Sequence, residues 1–192
     1  MGLASSLFSA GQWQAPKIYM WWKKTVSKEE VGQALWQLCC NFAEDFCINL
    51  RPKLQAEGFL RDPAKERVFM EESIVVHFWI IWSVLNTDRA VLDVLNNFFN
   101  NWDIDQNQAR VSERLQERFQ LYIEAVSKDK ELHARGLPPT EFACTALQCL
   151  LNDGKPIERN IGIFILTEVD SRLSSTFPAV RKFREELKIR GA

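Results

Sequence analysis

Residues that carry chemistry are what this sequence has least of. The 192 residues include two histidines, His77 and His133, and 8 glycines. A zinc site takes about four nitrogen or sulfur ligands at paired spacings. Two isolated histidines, and five cysteines with no C-x-x-C pair, do not supply them. Gly154-Lys155 stands alone, without the second glycine and the hydroxyl that complete a phosphate-binding loop. No glutamate precedes a histidine by three positions, so the Glu-x-x-His pair of helical di-metal sites is missing. No metal site, cofactor or catalytic residue is therefore expected. With 8 Gly and 7 Pro, collagen-like and linker-like chains are excluded. Long apolar runs are also lacking. The most apolar stretch, Ser73 to Leu85, has thirteen residues, where a membrane span takes about 20. No positive charge precedes Lys17 and serines break the early apolar run, so no secretory leader is expected.

The first 28 residues lack acids altogether. They hold Lys17, Lys23, Lys24 and Lys28, a net of +4. Residues 172–192 set six basic residues against Glu185 and Glu186, again +4, which leaves −9 for residues 29–171. A body of that sign is repelled by duplex DNA, whose binders present a basic face. No nucleic-acid partner is expected. Cys39 and Cys40 point about 100° apart on a helix and cannot pair with each other. All five cysteines read as reduced, small apolar residues, which places the chain in the cytoplasm.

What is present is helical patterning and aromatic mass: seven Trp and 13 Phe. Ser27 with Glu30 forms a capping box, and Val31, Leu35, Leu38, Phe42, Phe46, Leu50 and Leu54 follow at helical spacing. Asp62-Pro63 opens a helix that is apolar on most sides to Leu85 and should occupy the centre of a bundle. Thr87-Asp88 caps a third helix, which should fray at Asn96-Asn97 and Asn100-Asn101. Ser112 to Ser127 is amphipathic, with Glu113, Arg114, Glu117 and Arg118 on its outer side. Thr140 caps the next helix. Ile157, Ile161, Phe164, Ile165, Val169 and Leu173 mark another, and Pro178 to about Ile189 a last one. The expected fold is all-α: residues 27–192 form one domain of six to eight helices around the helix at about 64–85, and residues 1–26 form an N-terminal aromatic and basic segment.

Three functions suit this reading. The first is a non-catalytic interaction module that binds a protein partner or forms homo-oligomers. Tyr19, Trp21, Trp22, Lys23 and Lys24 are its candidate residues, because four consecutive large side chains at 19–22 cannot share one buried face. The same segment suits peripheral contact with an anionic membrane, and Met1-Gly2-Leu3-Ala4-Ser5-Ser6 fits the myristoylation pattern. The second is a binder of a small hydrophobic ligand in an aromatic pocket of His77, Trp79, Trp82, Phe98 and Trp102, with His77 as polar anchor. The third is an enzyme in which Glu44, Glu72 and Glu168 converge on His77. Against the last two stands the ordinary reading of His77 as a core histidine bonded to Glu44 or Asp45.

Overall fold

The structure is a computed structural model that describes residues 27–85, 89–105, 109–157 and 161–186. Among these residues there are six helices and no strand: α1 (Lys28–Ala56), α2 (Pro63–Val84), α3 (Arg89–Asp105), α4 (Ala109–Ala134), α5 (Glu141–Asn152) and α6 (Ile163–Glu186). The candidates Tyr19, Trp21, Trp22, Lys23 and Lys24 lie outside the described residues.

Local signals set the first two helices. Ser27 Oγ accepts from the Glu30 N–H at 3.2 Å, and Glu30 Oε2 accepts from the Ser27 N–H at 2.7 Å. Both bonds satisfy backbone donors that the first helical turn leaves free. Pro52 does not end α1, which runs on to Ala56, with Gly58 at φ +73° just beyond the helix. In α2, Asp62 Oδ1 accepts from the Lys65 N–H at 2.8 Å, and Pro63 takes the first helical position. Residues 71–81 of α2 are buried without a break. A helix with no polar face has to be enclosed on every side, and α2 packs against α1, α4, α5 and α6. One cluster of buried residues draws on all six helices.

The later elements depart from the sequence expectations. Helix α3 continues through both asparagine pairs to Asp105, and the burial of Val91, Leu95 and Phe99 outweighs their low propensity. Thr140 makes no side-chain cap. Asp129 of α4 replaces it, with Oδ1 and Oδ2 accepting from the backbone N–H groups of Glu141 and Phe142 at 2.8 and 2.9 Å. The two expected C-terminal helices are one helix, α6, with Pro178 inside it. Its inward stripe is Ile165, Val169, Leu173, Thr176 and Val180, which stays in phase across the proline.

Helix directions set which ends lie together. Phe46 packs on Phe69 and Phe42 on His77, so α1 and α2 run antiparallel. Lys53 pairs with Glu168 and Asp45 with Arg172, so α1 and α6 also run antiparallel.

Candidate functional site

His77 is 1% exposed, with Phe42 stacked on its ring and Phe46 edge-on at 5.3 Å. Its Nδ1 lies 2.6 Å from the Ser73 carbonyl oxygen. A carbonyl only accepts, so Nδ1 carries the proton and donates. The expected carboxylate partner is thus replaced by the backbone of the preceding turn. Burial pushes the His77 pKa down to about 4, against the opposing effects of the Ser73 carbonyl and Asp45. The imidazole is neutral at pH 7.

The other pocket candidates do not gather around it. Trp79 packs against Tyr122 of α4 and Phe142 of α5. Trp82 lies on Phe119 of α4. Trp102 sits with Trp36 of α1 and with Phe99, while Phe98 is half-buried on α3. Trp79 and Trp82 thus pack towards α4 and α5, and Trp102 between α1 and α3, each against other rings. Two of the three carboxylates proposed to converge on His77 are engaged elsewhere: Glu72 with Arg118, and Glu168 with Lys53 and Arg172.

Two features escaped the sequence reading. The first is a buried charge node. Arg118 belongs not to the outer face of α4 but to the core, where it is 1% exposed. Its Nε lies 3.3 and 3.2 Å from the two Glu72 oxygens, and its Nη2 bonds both Glu72 and Asp153. Asp153 caps the C-terminus of α5 in the left-handed region at φ 54°, followed by Gly154 at φ 78°. A Cβ at Gly154 would come within 2.8 Å of Arg118 Nη1, so the loop closes directly over the guanidinium. The cation therefore meets the negative end of the α5 dipole as well as a carboxylate of α2. Burial opposes the Arg118 charge most strongly of any single effect, but Glu72, Cys149 and Asp153 together outweigh it and hold the pKa above the usual arginine value.

Among the described residues, three buried polar atoms of this core have no hydrogen-bond partner of ordinary geometry: Arg118 Nη1, Tyr122 Oη and Trp79 Nε1. Tyr122 faces Cys149, a weak sulfur partner, and burial holds its phenol well above the usual tyrosine value. Burial also pushes the Cys149 thiol up to about 11. Neither group ionises near neutral pH. The node is suited to fixing how α2, α4 and α5 meet, and it offers no activated nucleophile. Its sequence signal was position: Arg118 is three residues after Leu115 and four before Tyr122, on the apolar stripe of α4.

The second feature is on the surface. Phe164, one of the apolar positions that marked this helix in the sequence, is 86% exposed, and Ile163 is 64% exposed. The stripe beginning at Ile165 takes the core-facing side of α6 and turns these two outward. A shallow groove of about 690 Å³ runs from them past Thr167 and Ser171 to Ser175. Its flank is electrically closed. Glu168 pairs with Lys53 and Arg172, and Arg172 Nη1 lies 2.9 Å from Asp45. Among the described residues no helix is long and apolar enough to cross a membrane, and no group of three metal-ligating side chains converges. Comparison with protein-family models, curated proteins and solved structures finds no match, so any functional reading rests on the geometry of this chain alone.

Proposed function

We propose that this chain is a non-catalytic interaction module that docks a protein partner, or a second copy of itself, through the apolar start of α6. The observation that carries the reading is Phe164, which leaves 86% of its surface in water beside Ile163 at 64%. A phenylalanine buries about 150–250 Å² when covered. At about 25 cal/mol per Å², covering it contributes several kcal/mol. Aromatic side chains beside a groove are the usual anchors of protein interfaces. The paired charges along the flank also favour this reading, because they leave no strong field to be desolvated. All five cysteines are free, and those at 39, 40, 47 and 149 are held as thiols by burial, which suits a reducing, cytoplasmic setting.

The test is Phe164→Ser with Ile163→Ser. Both side chains are exposed, so the melting temperature should stay within a few degrees. Sedimentation equilibrium of the parent should show self-association that the double variant loses. If the parent sediments as a monomer, a photo-crosslinker at position 164 should capture one partner from a cell extract, while the same probe at exposed Ile123 does not. A monomeric parent with no position-specific adduct would end the reading.

A further inference from the structure

The two halves of the α6 groove are chemically unlike. Phe164 and Glu168 lie towards the start of the helix, Arg172 and Ser175 towards its end, and Thr167 and Ser171 fall between. The outward positions recur every three or four residues. Turning the helix end for end about the midpoint between residues 169 and 170 therefore exchanges 164 with 175, 167 with 172 and 168 with 171. Each exchange sets unlike groups together. The large ring of Phe164 falls on the small, exposed Ser175. The Ser171 hydroxyl falls opposite the Glu168 carboxylate. Arg172 falls opposite Thr167, whose hydroxyl proton goes to the Ile163 carbonyl, so that its oxygen can still accept. Arg172 uses Nε and Nη1 within its own chain, on Glu168 and Asp45, which leaves Nη2 to donate. A parallel pairing would instead set Glu168 on Glu168 and Arg172 on Arg172, and facing like charges are unfavourable.

We propose that the occupant of this groove is a second copy of the chain, with the two α6 helices antiparallel about a two-fold axis. The proposal rests on the docking reading above and commits it to one partner. A two-fold contact uses the same patch twice, which requires complementary halves of the kind α6 carries. Its apolar area reaches across the seam to α1, where Ile48 is 63% exposed one turn after the Asp45 that pairs with Arg172. Phe164, Ile163 and Ile48 of both copies together bring roughly 800 Å², taking about 200 Å² for each large side chain and counting only the exposed part. A specific interface takes about 1,200–2,000 Å². With the polar residues added, the contact reaches the low end of that range, as a reversible dimer does.

The test uses the full chain. Sedimentation equilibrium at rising concentration should show monomer passing to dimer. With the photo-crosslinker benzoylphenylalanine at position 164, which keeps an aromatic ring there, irradiating a mixture of isotopically light and heavy chains should give a mixed adduct. Trypsin should place that adduct on residues 173–181 of the second copy, which contain Ser175. An adduct on residues 160–172 would overturn the antiparallel register. Position 171 gives a second reading. Ser171→Lys should tighten the dimer and Ser171→Glu loosen it, each by up to about five-fold, because the other copy's Glu168 faces this position. Loss of dimer in both variants, with unchanged melting temperatures, would mean that 171 faces its own copy and would also overturn the register. A chain that stays monomeric at its highest soluble concentration would overturn the proposal outright. If the probe at 164 then captures one other protein from an extract, the docking reading survives without the dimer. If it captures nothing, both fall.

Discussion

Arg118 and Glu72 are costly to bury singly and tolerable together. Removing one partner of such a pair leaves an uncompensated charge, which typically costs about 3–5 kcal/mol. Arg118→Met is expected to lower the urea-unfolding free energy by about that much, with Glu72 left in the core at 1% exposure. Glu72→Leu combined with Arg118→Met should recover more than half of the loss, because an apolar pair of similar volume needs no charge compensation. A double variant no more stable than the single one would refute this account of the node. His77 makes a second, pH-dependent contribution. Its pKa of about 4 in the fold lies below the ordinary 6.5, so the unfolded chain binds the proton first as pH falls. The contribution is complete above pH 6.5 and disappears as pH drops through 4, a loss on the order of 3 kcal/mol. In urea melts at pH 7 and pH 4.5, His77→Gln should lose less stability between the two than the parent does. Equal losses would show that His77 does not titrate in this way. The residue scale was only partly legible in the sequence. His77 stood out by its apolar neighbours, but its backbone partner did not, since any helical residue has a carbonyl one turn back. Arg118 looked like surface because charged residues almost always are, and its place on the Leu115–Tyr122 stripe was the overlooked clue.

Helix ends and crossings hold information of a different kind. Gly32 is buried on α1, and a Cβ there would come within 2.3 Å of Val94 Cγ1 on α3. The two helices are close because one of them has no side chain at the crossing. Gly32→Ala should therefore cost about 1–3 kcal/mol through overpacking despite its better helix propensity. Val94→Ala should restore much of the loss, and simple addition of the two single effects would show that the sites do not touch. Asp129 is the cap of α5 although it belongs to α4. Asp129→Ala should cost about 1–2 kcal/mol, measured by thermal melting, while Thr140→Ala should cost much less. Sequence reading locates caps by adjacency, and Thr140 was adjacent. A cap supplied from twelve residues away becomes visible only once the helices are placed. The C-terminal helix was misread for a related reason. Pro178 removes the N–H that would bond the Ser174 carbonyl, yet the stripe from Ile165 to Val180 does not change phase. Buried contacts on both sides of the proline keep α6 whole, and the same stripe turns Phe164 outward.

At the scale of the whole molecule, the helical class was legible because unbroken apolar stripes and unambiguous caps leave little else possible. The joining of remote ends was not, because no local pattern encodes which helix lies beside which. That joining has a consequence for the order of the chain itself. With α1 starting where α6 finishes, the path of the backbone nearly closes into a ring, and the 32 residues outside the described ends, 187–192 and 1–26, far exceed what is needed to bridge neighbouring helices. Peptide-bonding Ala192 to Met1 and cutting between Gly136 and Leu137, an exposed turn at φ +72°, should give a circular permutant that folds as the parent does. The cut leaves the Asp129 cap and the Arg118 node inside unbroken helices. A melting temperature within a few degrees of the parent is the expected result. A permutant without cooperative melting would show that the original ends are needed where they are.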